Sequence, residues 1–403
     1  QDGIDRHITE QTCIGSGTFH VPYQNGELKL RLVRVHLEYL ATLGPRRHFA
    51  CVDMVSEDGT FYDVDFFLEG DPGSMKVTET TVHKINGRPL YLWKEVTPKR
   101  WERVSADKSD KELLGVKSGE DHFVFRYQAV IPQIASQARL WLPLAQSTPF
   151  QTVATLSMSV PGRSCVIRDA ANGNQVLFSE LGHTDSSATL EIVYRVGRVE
   201  ITTYPGDPTE ATRYLTPDLR VPLDERFRTL AAKLTSGKTD TLMKARALYD
   251  HVIDRMAYKK CGEGWGQGDA VRACSTPAGN CTDFHSYFIA LARAAGIPAR
   301  FIMGAAIPSE RNDGGVDGYH CWAEFFANGK WWPVDISEGN KFTALSMYYF
   351  GHHPANRFEF SRGRDLVVEP GPASGPINFL AYPLLEMNGQ AKTLSVKFTF
   401  QRD

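Results

Sequence analysis

The chain has 403 residues, a net charge of -2, and 42% apolar against 23% charged residues. That balance excludes a basic nucleic-acid groove and fits a globular protein of two or three domains. The longest apolar runs are strand-sized, well short of the roughly 20 residues of a membrane-spanning helix.

Residues 1–205 read as β structure. Strand-sized runs recur at Leu28–Tyr39, His48–Met54, Thr60–Phe67, Val77–Ile85 and Leu90–Lys94, with turn signals at Asn25-Gly26, Asp58-Gly59 and Asn86-Gly87. The charged stretch Asp107–Glu120 marks a boundary, so a β-rich domain is expected at 1–115. A second set, His122–Ile131, Ala138–Leu144, Gln151–Val160, Gln175–Ser179 and Ala188–Thr203, defines an expected immunoglobulin-like β-sandwich at 116–205. Within it Phe123, Phe125 and Tyr127 alternate onto one face, as a half-buried strand requires.

After Tyr204-Pro205-Gly206-Asp207-Pro208 the pattern turns to α+β, and 206–403 is expected to be one further domain. The spacing predicts helices over Leu223–Ser236 and Thr241–Met256, the second with Asp240 as N-cap. A Gly-rich loop, Cys261–Gly279, leads to a third helix over Cys281–Ala295. Asn280 is its N-cap, Gly296 its C′ residue, and Pro298 lies beyond the stop. Strands follow at Ala299–Met303, Tyr319–Phe326 and Lys330–Ile336, and Leu394–Phe400 alternates as a returning strand. Pro308–Gly318 is polar and Gly-rich and reads as a surface loop or a lid beside His320.

Three residues suit thiol-based acyl transfer, which needs a thiolate, a proton-carrying imidazole and a group that holds its tautomer. Cys281 falls in the first turn of a helix, where unpaired N–H groups and the dipole favour a thiolate. The segment Tyr319–Ile336 reads as a hairpin about Asn328-Gly329, in which positions summing to 657 face each other. Trp322 then opposes Asp335, and His320 and Asp335 project to the same side as diagonal neighbours within side-chain reach. Trp331-Trp332-Pro333-Val334 surrounds Asp335 with apolar groups, so its carboxylate needs a partner. An oxyanion also needs donors: the Cys281 N–H is one candidate, and the side chain of Trp265 or Gln267 a second. Asn280, His285 and Trp322 are further cleft candidates. His285 shares a helix face with Cys281 and reads as a cleft or core histidine. His352-His353 reads as an exposed loop or the rim of the cleft. No Cys-x-x-Cys or His-x-x-x-His spacing supports a metal, and neither metal nor cofactor is expected. Seven cysteines leave at least one free thiol. Cys13 could pair with Cys51, and two of Cys261, Cys274 and Cys321 could be bridged, or all could be buried free thiols. The sequence begins at Gln1 rather than Met, from which a processed chain in the periplasm or outside the cell is expected.

Helix-borne Cys followed by His and Asp on adjacent strands is the papain-like order. Gly279-Asn280-Cys281-Thr282-Asp283-Phe284-His285-Ser286, Ala292 to Arg300, His320-Cys321-Trp322-Ala323-Glu324-Phe325 and Trp331 to Asp335 together resemble the core of the transglutaminase-like superfamily. The resemblance covers residues 240–340. Arg139-Leu140-Trp141-Leu142-Pro143-Leu144 with Thr148-Pro149-Phe150-Gln151 resembles the N-terminal β-sandwich of bacterial members. It implies all-β N-terminal domains before an α+β catalytic core, with Cys281 as nucleophile, His320 as general base and acid, and Asp335 as orienting carboxylate. The implied activity is hydrolysis or acyl transfer at amide bonds of a peptide or protein, through a thioester. Animal transglutaminases carry Gly-Gln-Cys-Trp where this chain has Gly-Asn-Cys-Thr, which favours hydrolysis over cross-linking. A peptide:glycan amidase, or an idle core whose β domains serve as a binding scaffold, are the other readings.

Overall fold

A computed structural model of the chain describes residues 2–71, 73–97, 100–106 and 115–403. They fall into two compact units, Gln1–Glu112 with Ala344–Tyr348, and Leu113–Thr343 with Tyr349–Asp403.

The first unit is a six-stranded antiparallel sheet in chain order, from Phe19–Tyr23 through Gly26–Gly44, Arg47–Ser56, Phe61–Glu69 and Lys76–Ile85 to Arg88–Pro89. Period-two alternation sends Ala50, Val52, Met54, Val64, Phe66 and Leu68 to one face. There they meet Ile4 and Ile8 of a helix, Asp2–Ile14. That helix departs from the all-β expectation. Only Ile4 and Ile8, one turn apart, are buried on it, a stripe too narrow to stand out in a polar segment. The Asn86-Gly87 turn has both residues at positive φ, 49° and 76°, as a two-residue hairpin requires. Part of the expected linker Asp107–Glu120, residues 107–114, lies outside the described residues.

The second unit contains two five-stranded antiparallel sheets. One orders Arg163–Arg168, Gln175–Gly182, Gln137–Leu144, Leu384–Met387 and Gln390–Thr393; the other orders Gln151–Ser159, Thr189–Val199, Glu120–Val130, Val396–Arg402 and Asp313–Val316. The β region is therefore not closed at residue 205, because strands from 384–402 complete both sheets. Asp313–Val316 is an edge strand on Val396–Arg402 rather than a free loop or lid. Tyr127, Phe125 and Phe123 point inward, and Phe125 packs on Phe358 with ring centroids 5.1 Å apart.

A third five-stranded sheet orders Tyr204–Pro205, Lys330–Val334, His320–Ala327, Ala299–Ala306 and Arg357–Arg362. Against it packs the helix Cys281–Ala294, buried at every position from Cys281 to Arg293. Its C-terminus is a Schellman motif: Gly296, at φ 77°, donates to the Arg293 carbonyl and Ile297 to that of Ala292. The helices Glu225–Leu234 and Thr241–Arg255 precede it, the latter capped by Asp240 as its sequence indicates. The Gly-rich segment 261–279 holds a further helix, Ala270–Ser275, capped by Asp269.

The hairpin register has the expected sum. Ala327 pairs with Lys330, Phe325 with Trp332 and Ala323 with Val334 about a turn with Asn328 and Gly329 at φ 53° and 74°. The second strand ends at Val334, two residues sooner than expected. Asp335 turns out of the ladder to cap the short helix Ile336–Lys341. All seven cysteines are free thiols, so neither suggested disulfide forms. Cys51 and Cys321 are buried while Cys13 and Cys261 are exposed.

Candidate active site

Asn280 starts the Cys281 helix. Its Oδ1 accepts from Thr282 N–H at 3.1 Å, and Asp283 three residues on closes a capping box by accepting from the Asn280 N–H at 3.0 Å. The Asp283 carboxylate also accepts from Gly266 N–H (2.8 Å) and Gly268 N–H (3.2 Å), tying the glycine-rich loop to the helix start. Gly279 must lack a side chain: a Cβ there would overlap the Asp283 carboxylate. The Asn280 amide is committed twice, since its Nδ2 donates to Tyr319 Oη at 2.9 Å.

Cys281 is left at the positive end of this helix, 2% exposed. His320 begins the neighbouring strand and its Nε2–H donates to Asp335 Oδ2 at 2.6 Å. That leaves Nδ1 as the ring nitrogen available to Cys281, whose ionisation the His320 ring favours. Asp335 is fully buried, and its other oxygen accepts from Ser337 Oγ (3.1 Å) and Glu338 N–H (3.2 Å). Burial favours the neutral thiol, but hydrogen bonds from Cys321 and His320 and the imidazolium charge outweigh it, so Cys281 sits well below the usual thiol range. Burial likewise opposes the imidazolium, yet the charge and hydrogen bond of Asp335 push His320 up to about 9. Asp335 is held well below the usual carboxylate range: burial works against this, and the His320 charge and hydrogen bond prevail. These shifts bias Cys281 and Asp335 toward their anions and His320 toward its cation.

His285 lies behind these three groups. Its Nδ1–H donates to the Cys281 carbonyl at 2.7 Å, and its Nε2 accepts from Ile336 N–H at 3.0 Å. These two partners fix a neutral tautomer, and burial lowers the histidine further. It joins the first turn of the Cys281 helix to the segment that carries Asp335. Trp322 is buried, 6.4 Å from the His320 ring and 4.2 Å from that of His353 by centroids. His353 is buried rather than on a rim. Trp265 is 37% exposed, and the carbonyl of Gln267 accepts from Arg364 and Asn378.

Asp283, Tyr319 and Ser337 are parts of the site that the sequence reading did not single out. The Asn-x-x-Asp spacing from Asn280 to Asp283 is a capping-box signal that could have found the first. Nothing local marks the others, which arrive through strand pairing and the turn after Val334. Among the described residues His320, Asp335 and Glu338 place ligand-type atoms within 4.8 Å of one another. There, however, His320 Nε2 and Asp335 Oδ2 already satisfy each other.

Residues 228–336 match the Transglutaminase-like superfamily family model. An uncharacterized protein of Haemophilus influenzae is 27% identical over 315 residues, spanning 66% of this chain and 85% of that protein. A candidate cysteine protease from Cytophaga hutchinsonii is similar in structure at 17% identity, covering 70% of this chain and 91% of its own, with a TM-score of 0.49. The periplasmic domain of TgpA from Pseudomonas aeruginosa is 18% identical, covers 57% of this chain and 92% of its own, and has a TM-score of 0.32. Residues 228–336 thus carry a core similar to that of the transglutaminase-like superfamily.

Proposed function

We propose that the chain is a cysteine-dependent hydrolase of amide bonds in peptides or proteins, with Cys281 as nucleophile, His320 as acid and base, and Asp335 as the orienting carboxylate. The observation that carries this reading is the 2.6 Å bond from His320 Nε2 to buried Asp335, which leaves the opposite ring nitrogen for a helix-borne thiol whose ionisation the ring favours. In the acylation step the Cys281 thiolate attacks the carbonyl carbon. The C–N bond breaks as the His320 imidazolium gives its proton to the departing amine, leaving a thioester and a neutral imidazole. Water then loses a proton to His320 and attacks the thioester, releasing the acid and restoring the thiolate. The Cys281 N–H, at the open end of its helix, is the proposed oxyanion donor. Hydrolysis is preferred to cross-linking because Asn280 and Thr282 flank the nucleophile, and their side chains bind each other and Tyr319.

The test is alkylation. Iodoacetamide should modify Cys281 faster than the other six thiols at a pH well under the ordinary thiol value of about 8.5, and Cys281→Ala should abolish peptide-amide hydrolysis. Equal reactivity of all seven thiols would remove the basis for the proposal.

A further inference from the structure

The sheet of the first unit has a second face, opposite the helix Asp2–Ile14. Where apolar residues would be expected it carries Cys51, Asp53, Asp63 and Asp65, all buried. Strand pairing sets Cys51 against Asp65 and Asp53 against Asp63, with Lys84 beyond Asp63. Carboxylates directly opposed in a buried sheet repel and lose hydration, so this arrangement requires compensating positive charge.

Three donor residues converge, with His83 beside two of them. Cys51 Sγ is 2.7 Å from Asp63 Oδ1. His83 Nδ1 is 3.9 Å from the same oxygen and 3.4 Å from Asp65 Oδ1. Ligand atoms of Cys51, Asp63 and Asp65 all lie within 4.8 Å of one another. Their outer atoms are already taken. Lys84 Nζ holds Asp63 Oδ2 at 3.2 Å, and Tyr91 Oη–H and Trp93 Nε1–H donate to Asp65 Oδ2 at 2.5 and 3.2 Å. Asp65 Oδ1 is the exception: on a residue 0% exposed, it has no hydrogen-bond donor among the described residues. His83 Nε2 lies 3.1 Å from the Tyr91 carbonyl, which only accepts, so Nε2 carries the proton. Nδ1 therefore faces two carboxylate oxygens, a position from which it could also serve as a metal ligand.

We propose that Cys51, Asp63, Asp65 and His83 bind a zinc-like divalent cation in the N-terminal unit. A mixed sulfur, nitrogen and oxygen donor set suits zinc. Tetrahedral bonds of about 2.0–2.3 Å place ligand atoms roughly 3.3–3.8 Å apart, close to the two His83 separations. On binding, the Cys51 S–H bond is replaced by a sulfur–metal bond, the proton leaves to solvent, and the sulfur moves away from Asp63. The Tyr91 carbonyl behind His83, and Tyr91 and Trp93 behind Asp65, are the outer hydrogen bonds that orient metal ligands. Lys84 offsets one charge from its position at Oδ2, outside the donor set.

The experiment strips the full chain with a chelator and titrates it with Co²⁺, then with Zn²⁺. One equivalent of Co²⁺ per chain is expected, with a thiolate-to-cobalt charge-transfer band that Zn²⁺ abolishes. Cys51→Ser should remove the band, and Cys281→Ser should keep both band and stoichiometry. Asp65→Asn and Tyr91→Phe should each lower Co²⁺ affinity by about 10–100-fold with the circular dichroism unchanged. The proposal fails if no stoichiometric band develops, if the band survives Cys51→Ser, or if it disappears in Cys281→Ser. Should Cys51→Ser not fold, undiminished affinity in both Asp65→Asn and Tyr91→Phe would overturn it.

Discussion

His320 is placed between two acids that both want its proton, and the pH profile follows from that. Cys281 ionises well below the ordinary thiol value, while Asp335 and the thiolate hold the His320 proton up to about 9. On the proposed mechanism, the nucleophile is lost below the Cys281 value and the acid for the departing amine above about 9. The expected kcat/KM profile is thus a bell whose alkaline limb lies near 9, and a limb near the ordinary histidine value of about 6.5 would contradict it. Stability has matching signs. The raised His320 value contributes fully below about 6.5 and is lost as pH rises through about 9, whereas the depressed Asp335 value contributes above about 3.9 and is lost in acid. Asp335→Asn separates chemistry from folding. Asparagine still caps the helix Ile336–Lys341, so the fold should be kept, with thermal unfolding lowered only by the loss of the His320 ion pair, while the His320 tautomer is no longer enforced. A fall in kcat of about 10⁴-fold is expected, as in the serine-protease precedent for this exchange. Cys321→Ala should move the alkylation pKa of Cys281 upward, because it removes an S–H donor to the thiolate.

At the scale of elements, the hairpin was the most legible part. Asn328-Gly329 demands two positive φ values, that fixes the turn, and the turn fixes which residues share a face. It could not reveal that Asp335 leaves the ladder to cap a helix, because capping depends on the N–H of Glu338, which faces no strand. The start of the Cys281 helix was half legible. Asn280 as N-cap was readable, whereas two of the three N–H groups gathered by Asp283, those of Gly266 and Gly268, come from a loop whose path no local pattern specifies. Their energetic weight is open to measurement. Asp283→Ala strands buried donors at Gly266, Gly268 and Asn280, and should destabilise the chain by about 2–5 kcal/mol. This would be seen as a lower urea midpoint at unchanged m-value. A loss under about 0.5 kcal/mol would show that the loop holds itself.

For the molecule as a whole, the chain's last twenty residues matter more than their distance from Cys281 suggests. A boundary at 205 was a natural reading, since composition changes there and strands far apart in sequence give no sign of pairing. Yet Val396–Arg402 lies beside Glu120–Val130, with Phe398 opposite Tyr127 and Phe400 opposite Phe125. Phe398 and Phe400 are buried, at roughly 1.5–3 kcal/mol each. Arg402 grips Asp121 with two bonds, Nε to Oδ1 at 2.8 Å and Nη2 to Oδ2 at 2.9 Å. The same inner face carries Phe125 onto Phe358, in the strand that pairs with Ala299–Ala306 next to the His320 strand. Ending the chain after Pro383 would leave Cys281, His320 and Asp335 in place, but would unpair one side of Glu120–Val130 and uncover this aromatic layer. The truncated protein should lose soluble yield and be cut by protease across 120–130 at low enzyme ratios. Because Phe125 and Phe360, which flank Phe358, would both lose Phe398, hydrolysis should fall with it. A truncated chain as protease-resistant and active as the whole would mean that the core stands without the C-terminal strands.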